Sequence, residues 1–308
     1  MAQTGFLERR SLRPRRWRVS RDQLWFAAFV LPAFLVVVVI QFYPLAYSAF
    51  LSVQEWSLTN SQKPEGFNGL ANFAKILNNE VFKRSVQNSF YITGGAILVE
   101  MLLGMGLAYL TVGSSWLMRA VRTILILPMV IAPVAAGTLW RMILNSRAGL
   151  LNYLLNLVGI QGPDWLASPE WSLVSVIMLD VWQATPFVLL VVAAGLASIP
   201  DELLEAAGID GASRRQIFWK IELPLLAPLL LLTLMFRVLD SLLSLDAIYS
   251  LTFGGPGYST YTLTFFIYTL GLRNFNLGQA AAASWLFMAF AAVVIGIVFW
   301  FQRRLETK

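Results

Sequence analysis

Glu100, Asp180, Arg237 and Asp240 are ionisable residues that stand inside long apolar stretches of this chain of 308 residues. A charged side chain at the centre of a membrane-spanning helix costs about 2.5–3.5 kcal/mol on insertion scales, so such residues usually face a cavity or an opposite charge. Arg237 and Asp240 are three positions apart, a spacing that allows pairing on one helix face. The sequence therefore predicts an intramembrane ion pair between them, either linking two helices or contacting a substrate. It gives Glu100 no partner.

Asp180 begins a face of mixed polar and aromatic character. With Gln183, Ala184 and Phe187 it follows the spacing i, i+3, i+4, i+7, which is one face of a helix. A carboxylate and an amide can bind the hydroxyl groups of a sugar, and an aromatic ring can cover its C–H face. The same residues also suit hydrogen bonds between helices and ordinary packing. The pattern leaves both roles open.

The composition excludes several other chemistries. The chain has no cysteine and no histidine, which excludes disulfides, thiolate catalysis and histidine relays. None of its lysines follows a glycine, so it lacks the common phosphate-binding loop for ATP. We therefore expect no catalytic residue, no metal site and no cofactor on this chain.

The same composition is typical of a membrane protein. The chain is 57% hydrophobic and 13% charged, whereas soluble domains are about 25% charged. Six stretches are apolar over the roughly 20 residues that cross a bilayer as a helix. They are Trp25–Tyr47, Ser89–Val112, Val121–Ile143, Leu173–Leu196, Leu223–Leu243 and Ala280–Phe301. We expect an all-α integral membrane protein with six transmembrane helices.

The basic residues predict the orientation of these helices. Fifteen of the 23 lie on the side that carries both termini, and six lie on the opposite side. Because cytoplasmic loops are enriched in lysine and arginine, both termini are expected in the cytoplasm. Residues 1–24 then form a basic cytoplasmic tail that contacts anionic lipid, and residues 25–308 form the membrane domain. No folded nucleic-acid-binding module accompanies the tail, so nucleic acid is not expected as a partner.

The loop 199–224 joins the fourth and fifth stretches on the cytoplasmic side. Pro200 with two acidic residues after it is typical of a helix start, and Gly211 permits a turn. A second amphipathic stretch runs from Ser213 to Ile221, and Pro224 opens the fifth span. Such a helix–turn–helix is either a solvated connector or a segment that fits a groove on a soluble partner.

The spacing in this loop resembles a known family. Glu205-Ala206-Ala207, Gly211 and Ile221-x-Leu223-Pro224 are similar to the EAA loop of ABC importer permeases. Two further stretches resemble the carbohydrate, maltose-transporter-like branch. Phe67–Phe73 is similar to F-x-G-L-x-N-F, and residues 251–260 are similar to L-T-x-G-G-P-x-x-S-T.

This resemblance implies the type I ABC importer permease fold and a set of partners. They are a second permease, usually a different chain, two cytoplasmic ATPase subunits that hold ATP and Mg, and a substrate-binding protein outside. The location would be the cytoplasmic (inner) membrane of a bacterial-type cell. The cargo would be a sugar or a related polyol or glycoside, with glycerol-phosphate also carried in this branch.

The resemblance also implies roles for particular residues. Coupling to the ATPase would use Glu205, Ala206, Ala207, Gly211, Ile221, Leu223 and Pro224. The substrate path would be lined by Asp180, Gln183, Ala184, Phe187, Ser241 and Ser244. Two alternatives remain. An ion-coupled secondary transporter would use Asp180 and Arg237 as coupling residues, and a channel-like or structural subunit would give the EAA loop no part in ATP-dependent uptake.

Overall fold

The computed structural model describes residues 21–112 and 115–306. Most of the predicted basic tail, residues 1–20, lies outside the described residues, as does Lys308. The described residues form thirteen α-helices and two short strands. The helices are α1 (Arg21–Ser52), α2 (Ala71–Leu77), α3 (Glu80–Thr111), α4 (Trp116–Val130), α5 (Pro133–Ile143), α6 (Leu150–Leu157), α7 (Pro169–Ala197), α8 (Asp201–Ile209), α9 (Arg214–Ile217), α10 (Leu223–Leu243), α11 (Asp246–Leu251), α12 (Leu263–Tyr268) and α13 (Leu277–Glu306). The strands are β1 (Gln54–Glu55) and β2 (Gly66–Phe67), which pair antiparallel.

Five helical segments are long and apolar enough to cross a membrane. They are Ala28–Ser52, Glu80–Thr111, Pro169–Ala197, Arg214–Leu243 and Leu277–Trp300. The pair α4 and α5 passes the same test together, although the two helices meet at an angle of 102°. Counting that pair as one broken span gives the six that the sequence predicts.

The third predicted span, Val121–Ile143, is therefore not one continuous helix. Ile131 and Ala132 adopt extended backbone conformations between α4 and α5. Pro133 explains this break, because proline has no N–H to continue the helix and its ring pushes the preceding residue out of the α region. Hydropathy alone does not detect such a bend.

The described residues divide into two compact units, one ending at Ser48 and one beginning at Ala49. In the first unit, the described residues are the major part of α1, and large apolar side chains such as Phe29 and Tyr43 are well exposed. A helix that is apolar on all sides and exposed in this way suits a lipid environment.

In the second unit, α3 and α7 pack against each other extensively. Ala108, Val188 and Val192 form a buried cluster between them, to which Leu226 of α10 also belongs. A Cβ atom added at Gly104 would lie 2.5 Å from the Cβ of Val188. Glycine at this position therefore permits the close approach of the two helices.

The loop 199–224 contains α8, a turn and α9. Gly211 in the turn has φ +81°, a left-handed conformation that glycine adopts without strain. Ser213 and Gln216 form a capping box that begins α9. The second helix does not stop before the fifth span, because α9 continues through a π-helical turn, Phe218–Glu222, directly into α10. Pro224 lies in the first turn of α10 and does not separate the two segments.

The two stretches that resemble the carbohydrate branch are tied into the packing. Asn72 is buried, and its Nδ2 donates to the carbonyl oxygens of Ser52 and Gln54, at 3.0 and 2.8 Å. Asn88 of α3 similarly donates to the carbonyl oxygens of Tyr258 and Tyr261, at 2.8 and 3.0 Å. Buried asparagines thus fix the first stretch to Ser52 and Gln54, and the second stretch to α3.

Candidate functional site

Arg237 of α10 is the centre of a buried charge cluster. Its Nε donates to Oε2 of Glu100 at 2.7 Å, and its Nη2 donates to Oε1 of the same carboxylate at 2.9 Å. The side chains of Arg237 and Glu100 are only 4% and 0% exposed. This two-point contact is the strong geometry of an arginine–carboxylate pair, and it joins α3 to α10.

Two further carboxylates bind the same guanidinium. Nη2 of Arg237 donates to Oδ1 of Asp180 at 3.0 Å, and Nη1 donates to Asp240 on the next helical turn. Ser241 donates to Oδ2 of Asp180 at 2.9 Å. The predicted pair of Arg237 with Asp240 is thus one part of a cluster that connects α3, α7 and α10.

Exposure separates the members of this cluster. The side chain of Asp180 is 17% exposed and that of Asp240 is 78% exposed, whereas Glu100 is fully buried. An exposed ion pair contributes about 0–1 kcal/mol, whereas removing one partner of a buried pair costs about 3–5 kcal/mol. Glu100 is therefore the structural partner of Arg237, and the two aspartates point toward open space.

That space is a cavity of about 640 Å³ in the second unit, between α7, α10, α11 and the break of α4 and α5. The substrate-path residues that line it are Asp180, Gln183, Ala184, Phe187 and Ser244, together with the ion-pair residues Arg237 and Asp240. Ser241 is buried behind the wall, where it positions Asp180. The volume lies in the range of small-molecule sites.

The predicted helix face of α7 also holds the bent span in place. Nε2 of Gln183 donates to the carbonyl oxygen of Ile131 at 2.7 Å. Ile131 lies at the break between α4 and α5, where helix geometry leaves carbonyl groups without intrahelical partners. Gln183 therefore stabilises the broken backbone at the rim of the cavity.

Several functional candidates were not predicted from the sequence. Asp246, in the first turn of α11, and Phe236 of α10 both line the cavity. The sequence offered one signal for Asp246, because it is an isolated acidic residue that follows an apolar span. The pairing of Glu100 with Arg237 had no such signal, because 137 positions separate them.

The predicted coupling residues lie on the loop 199–224, here called the coupling segment, which is open at the surface along α8. No residue of α8 is buried; Glu205 and Ala206 are exposed, and Ile209 is 88% exposed. Ile217 of α9 is buried and attaches the second half of the segment to the protein. Ile221 and Leu223 are half-buried and Pro224 is exposed. An exposed helix with apolar and acidic side chains is suited to packing against another protein.

A contact that the sequence did not predict connects this segment to α3. The hydroxyl of Tyr109 donates to Oε2 of the buried Glu222 at 3.0 Å. The ring of Tyr109 meets that of Phe218 edge to face, with centroids 5.4 Å apart. Both partners belong to the π-helical turn that joins α9 to α10, so α3 contacts this turn at its two ends.

Apolar helices long enough to cross a membrane, a cavity with charged side chains in its wall and an exposed helical segment are together typical of membrane transport permeases. Residues 100–308 match the family described as "Binding-protein-dependent transport system inner membrane component", and the chain belongs to this family.

Relatives extend over nearly the whole chain. A probable ABC transporter permease protein of Sinorhizobium fredii is 33% identical over 94% of this chain and 92% of its own length. The trehalose/maltose transport system permease protein MalF of Thermococcus litoralis is 32% identical over 83% of this chain and 84% of its own. A chain of the bacterial alginate ABC transporter, solved in complex with a periplasmic protein that holds an alginate pentasaccharide, has a TM-score of 0.79. It is 25% identical and covers 92% of this chain and 96% of that one.

These similarities confirm the predicted resemblance and the type I ABC importer permease fold. The chain is a multi-pass inner membrane component of an ABC importer, and its relatives are transport subunits rather than enzymes. They favour this function over an ion-coupled secondary transporter. The cytoplasmic position of the termini stays a prediction.

Proposed function

We propose that this chain forms half of the path by which an ABC importer moves a sugar, or a related polyol or glycoside, across the membrane. The observation that carries the proposal is the cavity, because it gathers Asp180, Gln183 and Phe187 of α7 and Ser244 at the end of α10 around one space. Carboxylate, amide and hydroxyl groups offer hydrogen bonds to sugar hydroxyls, and the ring offers an apolar surface. The names of MalF and of the alginate transporter agree with a carbohydrate cargo.

The assembled importer would hold four kinds of component. A second permease, usually a different chain, would complete the path, and two cytoplasmic ATPase subunits would bind ATP and Mg. A binding protein outside would deliver the cargo. The exposed helix α8 would enter a cleft of the ATPase, with Glu205 meeting a basic residue and Ala206 and Ala207 allowing close packing. Closure of the ATPase pair would then move the coupling segment and rock the spans between inward-open and outward-open states.

Purification of the tagged chain from its native membrane in mild detergent tests this proposal. An ATPase subunit should accompany the chain, and Ala207→Trp should remove it from the complex. Ala148→Trp, at an exposed position outside the coupling segment, is the matched control and should retain it. Arrival of the chain alone, together with gradient-driven uptake in liposomes, would overturn the proposal in favour of a secondary transporter.

A further inference from the structure

The cavity has an excess of carboxylates over cations. Asp180, Asp240 and Asp246 line it, whereas Arg237 is the one basic residue among the described residues that do so. Glu100 binds Arg237 from behind through both carboxylate oxygens. If that pair is taken as balanced, three carboxylates remain on the wall without a compensating cation.

The guanidinium of Arg237 also has little capacity left for a ligand. Arginine has five N–H donors. One from Nε and one from Nη2 go to Glu100, a second from Nη2 goes to Asp180, and one from Nη1 goes to Asp240. Four of the five are thus engaged by protein carboxylates. An acidic group in the cavity would find at most one free guanidinium hydrogen.

Hydroxyl groups of a ligand, in contrast, find free hydrogen-bond acceptors in the cavity wall. A carboxylate has about four lone-pair sites for hydrogen bonds. Asp180 accepts one from Arg237 and one from Ser241, and Asp240 accepts one from Arg237. Each therefore retains acceptor sites, and the side chain of Asp240 is 78% exposed. The cavity wall can therefore accept hydrogen bonds from the hydroxyl groups of a ligand.

We propose that this half of the path excludes acidic carbohydrates, such as phosphorylated sugars and uronates, and admits those without an acidic group. The inference rests on the proposed function, because it takes the cavity as the substrate path. Membership of the family does not determine whether the cargo is charged, since one relative is named for trehalose and maltose and a structural neighbour imports an acidic polysaccharide.

The absence of cysteine from the chain allows a direct measurement. Ser244→Cys places one thiol of this chain in the cavity wall, and Asn60→Cys places a reference thiol on an exposed loop. The purified importer is treated with methanethiosulfonates that carry a hydroxyethyl, a sulfonatoethyl or a trimethylammonioethyl group. Modification of this chain is followed by mass spectrometry.

Relative to the reference thiol, the anionic reagent should react at least about tenfold more slowly than the neutral one, because a charged cleft focuses its field. The cationic reagent should react faster than the neutral one.

A charge variant distinguishes the cavity from the general surface. Asp240→Asn combined with Asp246→Asn should bring the anionic and neutral rates at Ser244→Cys together. Glu80→Gln removes an exposed carboxylate outside the cavity and should leave the ratio unchanged. Equal rates before any charge is removed, or a ratio that the double variant does not move, would overturn the inference.

Failure of the proposed function has a separate signature. Modification at Ser244→Cys should stop ATP-dependent carbohydrate uptake in proteoliposomes. Continued uptake after full modification would show that the cavity is not the path, and it would overturn the assignment of cargo charge together with the path. The rate ratio alone would then report only the charge of the cavity.

Discussion

Glu100 and Arg237 lie 137 positions apart in the chain and meet through two hydrogen bonds of 2.7 and 2.9 Å. Both side chains are almost completely removed from solvent, and the contact joins α3 to α10 beside the cavity. Helix α3 thus supplies the buried counter-ion of Arg237. The other hydrogen bonds of Arg237 go to Asp180 and Asp240 on the cavity wall.

Loss of either partner of this pair should strongly destabilise the protein. We expect Glu100→Leu to lower the free energy of unfolding by about 3–5 kcal/mol, because the buried guanidinium loses its principal counter-charge. Asp240→Asn changes an exposed carboxylate on the same guanidinium and should cost at most about 1 kcal/mol. Denaturant unfolding in detergent, followed by intrinsic tryptophan fluorescence, measures both. Equal losses in the two variants would contradict the structural role of Glu100.

The closeness of α3 and α7 depends on Gly104. We expect Gly104→Ala to destabilise the protein by about 1–3 kcal/mol, because its Cβ would lie 2.5 Å from the Cβ of Val188. Gly106→Ala is a matched control on the same helix, since a Cβ there has no neighbour within 4 Å. It should be neutral, or stabilising by up to about 1 kcal/mol through helix propensity. Thermal unfolding of both variants in one detergent tests the contrast, and similar shifts would refute it.

The turn of the coupling segment should be necessary for coupling and dispensable for folding. We expect Gly211→Asp to leave an assembled complex in which ATP hydrolysis no longer drives uptake, with uptake reduced by about tenfold or more. The left-handed turn would be strained and would present a charge to the ATPase. Gly159→Asp is the control, because Gly159 also has a positive φ and open space around it. Parallel assays of uptake and ATPase activity decide the question; full uptake by the Gly211 variant would remove Gly211 from the coupling machinery.

Substitution of Asp180 should change the binding of substrate more than the assembly of the complex. Asp180→Asn keeps the size of the side chain and one acceptor oxygen, and we expect a rise of about tenfold in the substrate concentration for half-maximal uptake. A charge-assisted hydrogen bond to a sugar hydroxyl would be weakened to a neutral one. Ser241→Ala removes a donor to the same carboxylate from behind the wall and should have a smaller effect. Unchanged uptake kinetics with a reduced yield of complex would place Asp180 among the structural residues.

The contact of Tyr109 with Glu222 should transmit movement of the coupling segment to α3. Tyr109→Phe keeps the ring contact with Phe218 and removes the hydrogen bond to the buried carboxylate. We expect uptake to fall several-fold while ATP hydrolysis is retained, so that more ATP is used per molecule of cargo. Tyr153→Phe, on the exposed surface of α6, is the control. A parallel fall in uptake and hydrolysis would indicate general destabilisation.

Local patterns in the sequence were sufficient to predict the membrane spans, the family and one face of the cavity. Apolar length predicted six spans, and the spacing of the EAA loop predicted the family, because hydropathy and short motifs act through neighbouring residues. The face from Asp180 to Phe187 follows from helical periodicity alone, and these residues do line one cavity.

Only the tertiary structure decided which distant residues meet. It paired Glu100 with Arg237 and Tyr109 with Glu222, bent the third span by 102° and brought Asp246 to the cavity. It also placed Ser241 behind the wall, where it supports Asp180. The physical reason is that side-chain pairs between helices depend on helix rotation, crossing and close approach. Those quantities are set by packing, as at Gly104 against Val188, and no spacing within a single segment contains them.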